Sequence, residues 1–216
     1  MTRTPALTNR KRGFSLIEMA VVLAIVGLLL GGLLPSISGQ IEQQRRNETR
    51  KYMSEVRDAL LGYAIANKHL PCPDTDVVAD GLQNAPCGVA TQVGRLPYKD
   101  LGVADKDAYG NVLVYAVTKE FATPFTLATT AVVPNTMRVC TTSACADFLT
   151  NNAVVVIVSP GANRANPASP DEVKNVTAGT TDFVSHDLSQ NTFDDLLIWI
   201  SPNTLFNRMV AAGQLP

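Results

Sequence analysis

The sequence has no HExxH, no GxSxG and no GxxxxGK[ST] run. It therefore lacks the signatures of a zinc-protease helix, a hydrolase nucleophile elbow and a phosphate-cradling loop. Histidine is scarce, with only His69 and His186. Any zinc site would depend on the four cysteines, whose spacings are not those of paired CxxC knuckles. Aromatic residues make up 6% of the chain and the net charge is −1; so nearly neutral a chain is not built to wrap a polyphosphate. On the positive side, 46% of the 216 residues are apolar, which excludes wholesale disorder. The length fits one domain, or one domain with an appendage.

What charge there is lies unevenly. Residues 1–13 carry Arg3, Arg10, Lys11 and Arg12 and no acid, whereas the rest of the chain has 14 basic and 19 acidic side chains. Directly after the basic cluster, Phe14–Leu34 (FSLIEMAVVLAIVGLLLGGLL) forms a 21-residue run whose single charge is Glu18. A helix of that length spans about 30 Å, the thickness of a bilayer core. The run is apolar all round, without the polar stripe of a helix lying on a soluble core. The basic flank predicts a cytoplasmic N-terminus, with residues after about 35 outside the cytoplasm. A cleaved secretory signal would have a shorter apolar region and a small-residue cut site, which Gly31-Gly32-Leu33-Leu34-Pro35 does not supply. Glu18 needs its own explanation. A carboxylate within an apolar span costs about 2.5 kcal/mol or more unless it has a partner. The run offers no Lys, Arg or His within helical reach, so a cation from a neighbouring copy is the economical partner.

The segment Arg12-Gly13-Phe14-Ser15-Leu16-Ile17-Glu18 resembles the type III signal of type IV prepilins and type II secretion pseudopilins. The resemblance takes in the basic leader, Gly13, Phe14, Glu18 and the apolar run, with Pro35 where many members carry a helix-bending proline. It implies cleavage between Gly13 and Phe14 and N-methylation of Phe14 by a prepilin peptidase/N-methyltransferase. It also implies that Glu18 meets the new N-terminal amine of an adjacent subunit, since cleavage would create the missing cation. The expected partners are other pilin or pseudopilin subunits, an inner-membrane assembly platform and, before assembly, the lipid bilayer. The expected location is the bacterial inner membrane (single-pass, N-terminus cytoplasmic), then a periplasmic or cell-surface filament. Function would be structural, as a minor pilin or pseudopilin, without enzymatic activity or cofactor. The rival from another class is a bitopic membrane-anchored binding module or enzyme. In such an anchor, replacing Glu18 by Leu would leave membrane retention and activity intact.

Beyond Pro35 the residues Ile41, Tyr52, Val56, Ala59/Leu60 and Tyr63 recur at intervals that suit an amphipathic helix to about Asn67. Leu70-Pro71-Cys72-Pro73 ends it, because two prolines cannot continue a helix. Strands are expected at Asn111–Thr118, Met137–Thr141, Ala153–Ser159 and Leu196–Ser201, which are β-branched or strongly apolar. A short helix or cover is expected over Asn203–Gly213. The fold class is α+β: a long N-terminal helix, half transmembrane and half amphipathic, packed on an antiparallel sheet in the manner of pilins. The division is a leader at 1–13, a transmembrane or filament-core helix at 14–35, an amphipathic helix at 36–69, and a β-rich globular domain at 70–216. Asp107-Ala108-Tyr109-Gly110-Asn111 looks like the D-aromatic-G-N turn of pseudopilins, and Ser159-Pro160-Gly161-Ala162 resembles a strand–turn of the same superfamily.

Four cysteines in an exported domain point to disulfides. Three pairings are possible. Cys72–Cys87 and Cys140–Cys145 are favoured because each closes a local loop, the first worth about 3 kcal/mol by chain entropy. Asp74, Asp76 and Asp80 are weak calcium candidates: Val78 takes the third-ligand place and no Glu follows in register. A solvated turn is the preferred reading there and at Asp182, Asp187, Asp194 and Asp195. Arg45-Arg46 and Arg50-Lys51 are expected on an exposed helix stem facing neighbouring subunits, and the acidic balance after Phe14 disfavours nucleic acid.

Overall fold

A computed structural model describes residues 13–87, 91–130, 136–189 and 192–215, without the side chains of 30–38, 91 and 92. The leader residues 1–12 lie outside the described part. Two compact units result, Met1–Gln44 and Arg45–Pro216.

Helix α1 runs over Leu16–Asn67. Its periodicity continues through Pro35 in the backbone, and the side chain of Pro35 lies outside the described residues. In the second unit, Thr49, Met53, Val56, Leu60, Leu61 and Ala64 are buried while Tyr52, Ala59 and Tyr63 are half-buried. The buried stripe shares Val56 and Leu60 with the expected one and otherwise lies beside it, at the same spacing of three and four. Ile41 is exposed.

The larger sheet joins β1 (Thr91–Arg95), β2 (Val114–Thr118), β5 (Val155–Ser159) and β7 (Leu196–Ile200) in the order β1-β2-β5-β7. All three pairings are antiparallel. Successive side chains of a strand point to opposite faces, and here both faces are covered. Leu113, Tyr115, Val117, Val155 and Ile157 share a core with the α1 stripe and with Leu205 and Met209 of α4 (Pro202–Ala211). Val114, Ala116, Val156 and Val158 share a second core with Met137, Val139, Ala153 and Phe183. Burial on both faces explains why β2 and β5 read as unbroken apolar runs rather than alternating ones.

The second core belongs to a further sheet, β4-β3-β6, formed by β3 (Met137–Cys140), β4 (Phe148–Ala153) and β6 (Asp182–Val184). β3 and β4 are antiparallel, but β3 and β6 are parallel. The sequence reading did not anticipate this sheet, because β4 (FLTNNA) is mostly exposed and β6 is three residues long. β1, the short helix α2 (Tyr98–Leu101) and α3 (Pro170–Val176) were also absent from it. α3 did have a signal: Ser169 accepts the Glu172 amide as N-cap, with Pro170 in the first turn. The expected strand Asn111–Thr118 starts only at Val114, since Asn111 is held in the preceding turn. Ser201 leaves the expected strand to cap α4, accepting the Thr204 amide.

Candidate functional site

The helix start combines polar closure with apolar exposure. Ser15 donates its backbone amide to Glu18 Oε2 at 2.8 Å, and Ser15 Oγ accepts the Glu18 amide at 3.2 Å. This reciprocal Ser-x-x-Glu pairing satisfies two of the amides that a helix N-terminus leaves open. It corrects the sequence reading in one respect, because Glu18 has a partner within its own chain. The Ser-x-x-Glu spacing is its signal in the sequence. A neutral amide does not neutralise a carboxylate. Around this start, Phe14, Leu16, Ile17, Met19, Val21, Val22, Leu23, Ile25, Val26, Leu28 and Leu29 are all exposed. Such an apolar surface requires lipid or another chain to cover it. Among the described residues no helix is long and apolar enough to cross a membrane. The last five residues of the Phe14–Leu34 run and Pro35 fall among the side chains outside the description.

In the second unit, Cys72 is bonded to Cys87 and Cys140 to Cys145. The loop closed by the first disulfide is built around Asp74. Its carboxylate accepts the amides of Asp76 (3.1 Å) and Gly81 (3.0 Å) and the guanidinium of Arg95 (3.0 Å). Burial pushes the Asp74 carboxyl up, but the Gly81 amide, the Arg95 hydrogen bond, the Asp76 amide and the Arg95 charge together hold it below its usual value. Arg95 also donates to the Asp76 carbonyl. Asn84 accepts the Thr75 amide and donates to Asp76 Oδ1 at 3.0 Å. Asp74, Asp76 and Asp80 do converge within 4.8 Å. A guanidinium already supplies the positive charge to this cluster, and Asp74 is buried rather than solvated.

The turn Asp107–Asn111 ties two of the sequence signatures together. Asp107 Oδ1 accepts the amides of Tyr109 and Asn111, both at 2.9 Å, and Oδ2 accepts the Ser159 hydroxyl at 2.6 Å. Asn111 Nδ2 donates to the Gly161 carbonyl at 2.6 Å. Gly110 takes a φ of 82°, which favours glycine. The entry to β2 is thereby fastened to the exit of β5.

Of the second acidic stretch, Asp187 is exposed as expected, whereas Asp182, Asp194 and Asp195 are not fully solvated. Asp195 and Glu172 are buried, and Asp182 is paired with Arg138 (2.8 Å) and Lys174 (3.6 Å). Glu172 accepts the Asp194 amide at 2.8 Å and an Asn163 amide hydrogen at 3.0 Å. Asp195 accepts from Asn175 Nδ2 at 2.8 Å. Burial, opposed by Asn175 and aided by the charges of Glu172 and Asp194, pushes the Asp195 carboxyl up to about 7. Burial also raises Asp194. Distance in sequence hid this cluster, since Glu172 and Asp195 meet only when α3 packs beside the entry to β7. The histidines join polar networks: His186 Nε2 lies 3.2 Å from Asp171 Oδ2, and His69 Nδ1 lies 2.9 Å from the Leu70 carbonyl.

With the helix start described, residues 8–34 match the family model of the prokaryotic N-terminal methylation motif. That N-terminal segment is similar to those of type IV pilins and pseudopilins. Over 79 residues it is 30% identical to the type II secretion system core protein G of Escherichia coli (strain K12), an alignment covering 37% of this chain. The chain spans about half of that relative, 53% of its length. No solved structure matches the chain. An α+β architecture with a long N-terminal helix and an antiparallel sheet accords with a pilin-like fold.

Proposed function

We propose that the chain is a structural subunit, a minor pilin or pseudopilin, of a type IV pilus-like filament assembled from the bacterial inner membrane. A prepilin peptidase cuts between Gly13 and Phe14 and methylates the Phe14 amine. The apolar helix then passes from lipid into a bundle of like helices, and Glu18 receives the amine of the next subunit there. Pro35 bends the helix between its lipid-facing and domain-facing halves. The observation that carries this reading is the methylation motif over residues 8–34, which takes in a capped helix start whose apolar side chains are exposed. In lipid or in a bundle those faces are buried, and only a carboxylate near the cut has reason to persist among them.

The mature N-terminus tests the proposal. Mass spectrometry of the full chain from its native host should show loss of residues 1–13 and one methyl on Phe14. An intact N-terminus, or a cut near residue 35, would end it. Similarity to a type II secretion core protein favours a secretion pseudopilus over a surface pilus. Deleting the gene should then abolish export of a secreted enzyme and leave surface pili unchanged.

A further inference from the structure

The loop closed by Cys72–Cys87 presents Val77 and Val78 with relative exposures of 101% and 80%. Two β-branched apolar side chains stand in water on a support that is built on both flanks. Asp74 holds the amides of Asp76 and Gly81, Asn84 holds Thr75 and Asp76, Asp80 accepts the Leu82 amide at 2.8 Å, and Asp100 accepts the Gln83 amide at 2.6 Å. A tip so held loses little conformational freedom when it docks. Its apolar side chains are flanked by the carboxylates Asp76 and Asp80.

The same unit carries a cavity of about 690 Å³ whose walls include Cys72, Ala85, Pro86, Ala122 and Pro124, together with the cationic Lys119 and with His69. Apolar walls with a positive group complement an apolar tip with negative flanks. The tip's exposure shows that it does not fill this cavity in its own chain. Copies that join head to tail, one knob in one socket, leave a knob and a socket open at the two ends of the pair. Such a heterologous contact propagates instead of closing as a dimer.

We infer that Val77 and Val78 of one copy seat in the Pro86–Lys119–Pro124 cavity of the next copy, with Asp80 facing Lys119, as a globular-domain contact along the filament. The inference rests on the filament reading above. It adds a second, chain-specific contact to the one made by the apolar helices.

Because Val77 and Val78 are almost wholly exposed, V77D/V78D leaves the fold of the unit in place, as thermal unfolding of the full chain will show. Its content in filaments sheared from the native host should fall by about tenfold or more, the factor that unburying even one valine implies. Independently of any folding defect, the full chain with V77C and T123C, Thr123 being a further wall residue of the cavity, should give oxidant-dependent dimers and higher oligomers on a non-reducing gel. Either single variant should give none. V77D/V78D incorporated at the wild-type level, or filaments that contain the cysteine pair without linked dimers, would overturn the contact and leave the filament reading standing. Wild-type chain absent from all filaments would overturn both.

Discussion

The Asp195 carboxyl makes the stability of the globular unit pH-dependent in an unusual direction. Its folded-state pKa is raised to about 7, against an ordinary value of 3.8. The folded chain therefore holds the proton more tightly than the unfolded chain. Stability from this group is fully present below about pH 4 and is lost as the pH rises through 7. A shift of about three units at 1.36 kcal/mol each amounts to about 4 kcal/mol at most. Between pH 5 and pH 8 the titration delivers about 2.5 kcal/mol of that, a fall in Tm of roughly 5–10 °C for a unit of this size. Asp194 is raised too and acts in the same direction. Asp74 and Asp171 are lowered, so both remain ionised throughout this window and do not contribute to the slope. Thermal unfolding of the full chain in detergent, followed by near-ultraviolet circular dichroism, should give a Tm that falls from pH 5 to pH 8. In D195N the amide oxygen still accepts from Asn175 and the fall should shrink by at least half. A wild-type Tm that stays flat or rises, or a D195N slope equal to that of wild type, would refute the account.

Replacing Arg95 by Met should destabilise the cystine loop by about 3 kcal/mol, since it strands the buried Asp74 carboxylate; a loss under 1 kcal/mol in urea unfolding would contradict this. Gly161 adopts a φ of 58°, and a Cβ there would lie 2.4 Å from the Asp194 carboxylate. Gly161→Ala should accordingly cost about 2 kcal/mol or more and lower Tm further than Gly179→Ala, where φ is also positive (73°) but nothing lies within 4 Å of the added Cβ. Ser15→Ala removes an N-cap worth about 1 kcal/mol and should leave processing and filament incorporation largely intact. Glu18→Gln, which keeps an acceptor for Ser15 and loses the charge, should be processed normally and yet fail to enter filaments. Equal incorporation of Glu18→Gln and wild type, measured by immunoblot of sheared material, would show that the charge is not used.

Much of the candidate site was readable before any coordinate. The motif matched over residues 8–34, with Gly13, Phe14, Glu18 and the apolar run, is a matter of local order alone. The same holds for β2 and β5, whose apolar runs announce strands buried on both faces, and for the apolar β7, whose middle residues are half-buried. The Ser15–Glu18 and Ser169–Glu172 caps were equally local and equally readable, since Ser accepting an amide three residues on is a fixed geometric relation.

The remainder depended on contacts that no local pattern specifies. β1 (TQVGR) has little strand character and is a strand because β2 pairs with it. β6 lies parallel to β3 across 44 positions of sequence, as Asp182 and Arg138 show. Asp74 and Asp195 look like any solvated aspartates in the sequence, and their chemistry follows from Arg95 and from Glu172 and Asn175, which reach them only once the chain has folded. Helix and strand character follow from short-range spacing, which the order of residues sets. Charge state and saturation follow from burial and through-space neighbours, and those exist only in the tertiary structure.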